Sequence, residues 1–519
     1  MEIKTALISV SDKQGIEELA RFLEERDVEI LSTGGTYKFL KEKGIKKILN
    51  VSEYTGSEEI LNGRVKTLHP AIFAGILASR ESNEHMLELK KKGILPIDLV
   101  VVNLYPFKEG LIRNLNHDEM IELIDVGGVS LIRAAAKNYV SCTVLTSPSD
   151  YRQFMDELSS TGKISITTRA EFAVKAFSLT SEYDSMIAGY LKEISGKIGE
   201  FELPEIFTMD LKKEMELRYG ENPHQQGAIY RWKGDKLSLL DAEILHGKKM
   251  SYNNYMDVDT ALNVVLEFNI PACCIVKHAN PCGVGTGENV NEAFNRAYTT
   301  DPISAFGGII AFNRPVDFIT ANDISSSFFE VIVAPDFHDD ALSVLKKKKN
   351  LRLLKLPIGE FNPYPYHNLL RVRGGLLVQE SDWAVEDPTK WEVVSDRQPT
   401  DMEMEAMIFA WKVVKWVKSN GIVLATREMT IGIGAGQPSR VGSVEIAIKN
   451  AHNQGKYTGG TALASDGFFP FRDSIDAAAE AGVSAVVEPG GSVRDREVID
   501  AANEHDMVLV FTRTRHFRH

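Results

Sequence analysis

The first 150 residues alternate short apolar runs with amphipathic stretches, and this alternation constrains the fold more than any other feature. The apolar runs, at residues 5–10, 28–31, 98–104 and 142–145, have the length of strands, and apolar side chains recur at helical spacing over 14–26, 37–43 and 129–137. The run 98–104 is almost continuously apolar, which is typical of a parallel strand covered on both faces. The pattern predicts a doubly wound α/β layer structure, with loops at the carboxyl ends of a parallel sheet.

The chain is too long for one ordinary hydrophobic core, since it has 519 residues. Helical periodicity over 167–191 is lost over 194–205, so we place the main boundary there, between a domain at 1–195 and a domain at 206–519. The second domain is also mixed α/β, and a break near residue 365 would divide it into two subdomains. No internal repeat is evident in the sequence.

Bulk composition predicts a soluble globular protein, with 44% hydrophobic and 25% charged residues. No apolar stretch approaches a membrane span, and the start lacks the layout of a signal peptide. The four cysteines form neither a disulfide framework nor a paired metal-ligand spacing. We therefore expect a cytoplasmic protein with no membrane partner. The net charge of −13 argues against a nucleic-acid partner, and the basic run 346–349 is expected to be a solvated helix end.

Polar segments follow the predicted strands, at residues 9–13, 32–36, 63–70 and 125–129, and the last three contain glycine. They offer hydroxyls, cations and backbone amides. Glycine lets the backbone approach an anion closely, and a helix that begins just afterwards adds its positive end. Because the segments meet at one edge of the sheet, they predict a site for a phosphorylated small molecule.

The same segments carry a resemblance to a known family. The stretches SVSDK, STGGT, NGRVKTLHP, NLYPF and IDVGGVSLIRAAAKN resemble the cyclohydrolase half of bifunctional purine-biosynthesis enzymes. That family combines 5-aminoimidazole-4-carboxamide ribonucleotide (AICAR) formyltransferase with inosine monophosphate (IMP) cyclohydrolase. STGGT is the least specific of these stretches, because other methylglyoxal-synthase-like domains share it. The resemblance implies that the N-terminal domain is methylglyoxal-synthase-like.

The resemblance also implies functional residues in this half. The catalytic positions that match are Lys66, Tyr105, Asp125 and Lys137. A cation or phenol near the formyl oxygen suits ring closure, because it stabilises the alkoxide formed when the carboxamide nitrogen attacks. Asp125 and Lys137 can move protons, although Asp125 also suits a helix cap. The implied nucleotide-binding residues are Ser11, Asp12, Lys13, Thr33, Gly34, Gly35, Thr36, Arg64, Val65, Thr67 and Asn103.

The second half groups aromatic, amide and basic residues among turns, which suits a pocket for a flat polar heterocycle. In the pair Lys277-His278, the histidine can accept a proton from an amine and the ammonium can stabilise an oxyanion. Alone, such a pair is usually structural. The glycine-rich run 432–436 lacks the third glycine of a dinucleotide fingerprint, so we expect a tight backbone bend beside a ligand.

The stretches RYGENPHQ, VKHANPCG, DPISAFGG and IGIGAGQPSR resemble the formyltransferase half of the same family, in the family's order. The resemblance implies that His278 takes a proton from the 5-amino group while Lys277 stabilises the transition state of formyl transfer from 10-formyltetrahydrofolate. Glu330 stands where some members have Asp. Implied AICAR-binding residues are Arg218, Tyr219, Asn254, Gly307, Glu330, Asn420, Arg440 and Arg515, and implied folate-binding residues are Phe468, Asp473 and Ser492.

The resemblance further implies cytidine-deaminase-like subdomains, no catalytic metal, and a homodimer whose formyltransferase sites are completed across the interface. Two alternatives remain open at this point. Pro281-Cys282 near His278 is a feature of zinc deaminases, although the His-x-Glu and Pro-Cys-x-x-Cys motifs of those enzymes are missing. A methylglyoxal-synthase-like domain can also sense a phosphorylated effector, which predicts nucleotide binding without turnover.

Overall fold

The computed structural model describes residues 2–194, 203, 205, 207, 209, 211–232, 238–357, 367–382 and 386–519. The chain divides into two compact units, Met1–Glu202 and Leu203–His519. Most of the predicted boundary segment 194–205, and the predicted break near 365, lie outside the described residues.

The first unit is built around one five-stranded sheet. Its strands are β1 (Thr5–Ser9), β2 (Glu29–Ser32), β3 (Ile48–Asn50), β4 (Leu99–Val102) and β5 (Thr143–Leu145). Its helices are α1 (Ile16–Glu24), α2 (Gly34–Glu42), α3 (Val51–Thr55), α4 (Pro70–Leu77), α5 (Asn83–Lys91), α6 (Phe107–Ile112), α7 (His117–Glu122), α8 (Val126–Lys137), α9 (Tyr151–Thr161) and α10 (Ile166–Ile194).

The sheet order is β3-β2-β1-β4-β5 and every pair is parallel, which confirms the predicted fold class. All residues of β4 are buried, as the apolar run predicted, because helices cover both faces of the sheet. The strand order reverses between β1 and β4. Chain leaving these two strands therefore diverges and opens a crevice at their carboxyl ends.

In the part of the second unit that the structure describes, there are two six-stranded sheets and two separate hairpins. Its strands are β6 (Leu211–Leu217), β7 (Gly227–Trp232), β8 (Glu243–His246), β9 (Ala272–Lys277), β10 (Asn280–Thr286), β11 (Ile309–Phe312), β12 (Val331–Ala334), β13 (Arg352–Lys355), β14 (His367–Val372), β15 (Gly375–Glu380), β16 (Glu392–Val393), β17 (Ile422–Ala425), β18 (Thr430–Gly434), β19 (Ala462–Ser465), β20 (Ala485–Glu488) and β21 (Val508–Phe511). Its helices are α11 (Tyr252–Leu266), α12 (Val290–Thr300), α13 (Pro302–Ala305), α14 (Phe318–Ser325), α15 (Asp339–Leu345), α16 (Asp401–Val414), α17 (Arg440–Asn453), α18 (Asp473–Glu480) and α19 (Asp495–Glu504).

The two large sheets repeat one arrangement, which the sequence did not reveal. Their orders are β10-β9-β11-β12-β13-β8 and β18-β17-β19-β20-β21-β16. In each sheet, an antiparallel hairpin flanks three parallel strands and an antiparallel strand closes the far edge. The edge strands of the two hairpins, β10 and β18, lie next to each other. The Val284 amide of β10 donates to Thr430 Oγ1 of β18 at 2.9 Å.

Matching glycines let a helix pack flush against the hairpin in each repeat. A Cβ on Gly283 would lie 2.0 Å from the Ala297 carbonyl oxygen of α12, and a Cβ on Gly434 would lie 2.0 Å from the Ser443 carbonyl oxygen of α17. The prediction of a backbone bend over 432–436 is therefore wrong for residues 432–434, which belong to β18. These glycines are required by close helix packing.

None of the helices in the described part of the chain is long and apolar enough to cross a membrane.

One buried carboxyl group makes stability depend on pH. Glu488, at the end of β20, is fully buried; Oε2 accepts from the Phe469 amide at 2.5 Å, and Oε1 has no partner among the described residues. Burial raises the pKa of Glu488 to about 8, with the Phe469 amide opposing the shift. Between pH 4.5 and about 8 the folded protein thus keeps a proton that the unfolded chain releases, and the free energy of unfolding falls as pH rises.

We expect Glu488→Gln to melt a few degrees above the wild type at pH 8, with the difference shrinking towards pH 5, because the neutral amide removes this penalty. Thermal unfolding at both pH values measures it. Glu480→Gln, which changes an exposed carboxylate, is the control. A difference that stays constant with pH would contradict the assignment.

Candidate active sites

The first unit holds a cavity of about 730 Å³ at the carboxyl ends of β1 and β4, where the strand order reverses. The predicted residues that line it are Ser11, Lys13, Thr33, Gly35, Thr36, Arg64, Lys66, Thr67, Asn103, Tyr105 and Asp125. Nine of these come from the four segments singled out in the sequence, and Asn103 and Tyr105 come from the loop after β4. Asp12, Gly34 and Val65 are not among the lining residues.

Asn103 joins the loops that follow the two central strands. Its Oδ1 accepts from the amides of Ser11 (2.5 Å) and Asp12 (3.1 Å), and its Nδ2 donates to the Asp12 carbonyl oxygen at 2.8 Å. The side-chain amide therefore sets the shape of the loop after β1, in addition to lining the cavity.

The Thr33-Gly-Gly-Thr36 segment begins a helix, whereas the sequence predicted a turn before a helix at 37–43. Thr33 is the N-terminal flanking residue of α2, and Gly34 is already helical. Thr36 Oγ1 donates to the Val10 carbonyl oxygen at 2.9 Å, which holds the helix start against β1. Gly35 and Thr36 of the first turn line the cavity, so the positive end of α2 faces it, an arrangement that favours an anion.

Lys66, Tyr105 and Asp125 lie together on the cavity wall. Lys66 Nζ lies 3.4 Å from the Tyr105 hydroxyl. Asp125 caps α8 by accepting from the Gly128 amide at 2.7 Å, so the capping interpretation is confirmed. Burial raises the pKa of Asp125, while the Gly128 amide, the Lys66 charge and the Tyr105 amide oppose the rise. The site thus pairs a cation and a phenol with a carboxyl group whose proton is held more tightly than usual.

Tyr183, on α10, fixes Asp125 and was missed by sequence analysis. Its hydroxyl accepts from the Asp125 amide at 2.8 Å and donates to the Leu123 carbonyl oxygen at 2.5 Å. Burial raises the pKa of Tyr183 to about 12, so the phenol keeps its proton at neutral pH. Nothing in the local sequence signals this contact, because Tyr183 lies 58 residues beyond Asp125.

Lys137 does not join this group in the same chain, contrary to the expectation. It lies at the last turn of α8, whose twelve residues separate it from Asp125 by about 18 Å along the helix axis. Lys137 lines a different hollow of about 380 Å³, together with Phe73, Leu77, Arg133 and Phe177. The helix geometry therefore excludes direct cooperation of Lys137 with Asp125 within one chain.

In the second unit, Lys277 and His278 border a cavity of about 430 Å³ between the two repeats. Lys277 ends β9, and its Nζ donates to the Phe306 carbonyl oxygen at 2.8 Å. His278 and Ala279 form the two-residue turn to β10, and both have positive φ, 55° and 56°. Their amides donate to the carboxylate of Asp257, at 3.3 and 2.6 Å respectively.

A second cavity, of about 350 Å³, is lined by the predicted residues Asn420, Arg440, Phe468 and Asp473. Arg440 is buried, and its guanidinium donates to Asp466 Oδ1 at 2.5 Å and to Asn420 Oδ1 at 2.6 Å. Phe517 also lines this cavity, and the Arg515 guanidinium stacks on the Phe517 ring at 4.3 Å.

The remaining predicted residues line neither of these two cavities. Arg218 stacks on Tyr219, and the Ser492 hydroxyl accepts from the Arg494 amide at 3.1 Å. Asn254 Nδ2 donates to Glu330 Oε2 at 3.0 Å, and the amide of Gly307, whose φ is 74°, donates to the Phe328 carbonyl oxygen. Within one chain the predicted AICAR-binding residues thus form separate groups.

Three cysteines occur near His278. Cys273 and Cys274 are fully buried on β9, and burial raises the pKa of the Cys282 thiol to about 12. Among the residues that the structure describes, no group of three or more His, Cys, Asp or Glu side chains is placed to hold a metal ion.

Comparison with known proteins identifies the family. A family model described as the AICARFT/IMPCHase bienzyme matches residues 135–450, and an MGS-like domain model matches residues 15–130. A relative named bifunctional purine biosynthesis protein PurH, from Persephonella marina, is 50% identical, covering 99% of this chain and 100% of the relative. Relatives of the same name from Caldicellulosiruptor saccharolyticus and Halalkalibacterium halodurans are each 48% identical, again over 99% of this chain and 100% of the relative.

The chain belongs to the AICARFT/IMPCHase bienzyme family. It is an enzyme with two activities, AICAR formyltransferase and IMP cyclohydrolase. The methylglyoxal-synthase-like assignment of the N-terminal half is confirmed. Family membership replaces both sequence-based alternatives, the zinc deaminase and the effector-binding protein.

Tyr183→Phe should slow the cyclohydrolase reaction about 10-fold, because the Asp125 amide loses its acceptor and the start of α8 becomes less fixed. Steady-state cyclisation of supplied formyl-AICAR measures this. Tyr190→Phe, which removes a hydroxyl from the same helix that contacts His117, should leave the rate unchanged. Equal rates for the wild type and Tyr183→Phe would show that the hydroxyl does not position Asp125.

Proposed function

We propose that the bienzyme divides its two reactions between the two units, with AICAR formylated in Leu203–His519 and the product closed to IMP in Met1–Glu202. The observation that carries this division is the separation of the two sets of polar side chains. Lys66, Tyr105 and Asp125 line one cavity of the first unit, and Lys277-His278 border a cavity of the second. The reactions belong to purine biosynthesis, as the names of the relatives indicate, and the compartment is the cytoplasm.

In the cyclohydrolase site, the positive end of α2 and the polar loop after β1 bind the phosphate of the nucleotide. The carboxamide nitrogen is a weak nucleophile, so holding it against the formyl carbon supplies much of the acceleration. Lys66 and Tyr105 stabilise the oxyanion that forms, since the ammonium and the phenol lie side by side. Asp125 exchanges protons during the loss of water, and its raised pKa suits this task.

In the formyltransferase site, His278 takes a proton from the 5-amino group of AICAR. Lys277 stabilises the negative charge that develops as the formyl group arrives, and its contact with the Phe306 carbonyl oxygen holds the ammonium in place beside the cavity that His278 also lines. Arg218, Tyr219, Asn254, Gly307, Glu330, Asn420, Arg440 and Arg515 bind AICAR. Glu330 is one methylene longer than Asp and keeps the charge, and its contact with Asn254 fixes the longer side chain.

The formyl donor is 10-formyltetrahydrofolate. The cavity of about 350 Å³ fits a flat pteridine with N–H donors, because it places the rings of Phe468, Phe471 and Phe517 beside the carboxylate of Asp473. Ser492 lies outside the lining of this cavity and belongs to the proposed folate contacts only by resemblance. No step of the proposed chemistry calls for a catalytic metal.

The protein acts as a homodimer in which each formyltransferase site takes residues from both chains. Within one chain Lys277-His278 and Asn420-Arg440 line two neighbouring but distinct cavities, and the proposed AICAR-binding residues Arg218 and Asn254 line neither of them. Two such chains related by a two-fold axis can present complementary walls to one substrate.

His278→Ala should abolish formyl transfer while cyclisation of supplied formyl-AICAR continues, because the proton acceptor is lost in one unit only. Lys66→Ala should do the reverse, so that formyl-AICAR accumulates from AICAR and 10-formyltetrahydrofolate. Chromatography of the products distinguishes formyl-AICAR from IMP. Loss of both activities in either variant would overturn the division of the reactions between the units.

Co-expression of His278→Ala and Asn420→Ala chains with different tags tests the shared site. The purified mixed dimer should recover about half of the wild-type formyl transfer, because one of its two sites contains neither change. A mixed dimer of His278→Ala with Lys277→Ala should stay inactive, since both residues lie on the same wall. An inactive first pair would show that each chain forms its site alone.

A further inference from the structure

The turn that carries His278 has an unusual backbone. His278 and Ala279 both have positive φ, and neither is glycine. Side chains of L-residues disfavour this conformation, so two consecutive examples persist only where surrounding contacts impose them. The hairpin between β9 and β10 has just these two residues in its loop, which is the geometry of a type I′ turn, usually formed by Asn-Gly.

Asp257 supplies contacts that impose this turn. Its Oδ1 accepts from the Ala279 amide at 2.6 Å and its Oδ2 accepts from the His278 amide at 3.3 Å. Both carboxylate oxygens thus bind the turn backbone, and hydrogen bonds to an ionised carboxylate are stronger than those to a neutral acceptor. The imidazole of His278 takes no part in these bonds and stays available to a substrate.

Asp257 is itself held in place. It belongs to α11, whose start is closed by reciprocal hydrogen bonds between Ser251 and Asn254. Val258, Ala261 and Val265 of this helix are fully buried in the core that also contains residues of β9. The carboxylate therefore has a fixed position relative to the strand that leads into the turn.

The same helix positions a second residue of the proposed site. Asn254, three residues before Asp257 and so on the same helical face, donates to Glu330 Oε2 at 3.0 Å. One face of α11 thus contacts two elements that carry predicted AICAR-site residues, the turn after β9 and the residue before β12. This grouping is difficult to explain if Asp257 only stabilises a hairpin.

We propose that Asp257 is a positioning residue for formyl transfer, which holds the His278–Ala279 turn in its left-handed conformation and thereby directs the His278 imidazole at the 5-amino group. The inference rests on the proposed role of His278 as proton acceptor. A base displaced by about 1 Å loses on the order of 100-fold in rate, so fixing the backbone under the imidazole has a large kinetic effect.

Asp257→Ala should lower kcat for formyl transfer roughly 10- to 100-fold, with the dissociation constant for AICAR changed less than about two-fold. Asp257→Asn should lie between Asp257→Ala and the wild type, because its amide keeps one acceptor oxygen. The kinetic constants come from the formyl-transfer assay of the full chain, and the dissociation constant comes from calorimetry with AICAR.

A second change separates positioning from general stabilisation. Ala279→Gly in the Asp257→Ala background should recover kcat several-fold, because glycine adopts positive φ without steric strain and restores the preferred turn chemistry. Asp323→Asn is the matched control: Asp323 on α14 also accepts two N–H groups, from Asn291 and Asn295, away from the turn, and its loss should leave formyl transfer unchanged.

The outcomes distinguish this inference from the function on which it rests. If the His278→Ala variant keeps its formyl-transfer activity, His278 is not the proton acceptor, and the inference about Asp257 fails as well. Inactive His278→Ala together with an Asp257→Ala variant of normal kcat would overturn the positioning role alone. A loss of kcat in Asp257→Ala that comes with weakened AICAR binding and no recovery by Ala279→Gly would also overturn it, since that pattern is general destabilisation.

Discussion

Parallel strands need crossover connections, and this requirement shapes both units. A crossover covers the faces of the sheet with helices, leaves the strand interiors apolar, and puts every variable loop at the strand ends. In the first unit it produces a crevice between β1 and β4, with Asn103 joining the two loops. In the second unit the three parallel strands of each repeat have the same effect, and the antiparallel hairpin β9–β10 carries His278, the proposed proton acceptor, at its tip.

Carboxylates that bind backbone amides recur at both sites. Asp125 accepts from the amide of Gly128 at the start of α8, and Asp257 accepts from two amides of the turn at His278. Burial raises the pKa of each of them, and the amides they bind oppose the rise. Asp125 is itself proposed to move protons, and Asp257 holds the turn of the proposed proton acceptor His278, so in each unit the carboxyl group that organises local backbone also bears on the proposed chemistry.

The sequence predicted the features that depend on local pattern. The run at 98–104 contains β4, and the polar segments 9–13 and 32–36, which follow β1 and β2, meet at one cavity, because periodicity and strand polarity decide both results. The segments 63–70 and 125–129 reach the same cavity from the starts of α4 and α8 and, contrary to the prediction, do not follow strands. The sequence could not show what depends on distance along the chain. Tyr183 reaches Asp125 from another helix, and Lys137 is carried away from Asp125 by the length of α8. The duplication in the second unit was hidden because it lies in the order of the strands, and Asp257 gave no signal because its partners are main-chain amides 21 and 22 residues away.

The meeting of β10 with β18 leaves neither strand as a free sheet edge. An unpaired sheet edge is a template on which another chain can add a strand. Here the two hairpins shield each other, since Gly285 and Met429 form an antiparallel bridge and the Thr286 amide donates to the Glu428 carbonyl oxygen at 2.8 Å. A duplication that doubled the number of exposed edges thus also covered two of them, and neither strand can pair with a further strand while the two halves stay together.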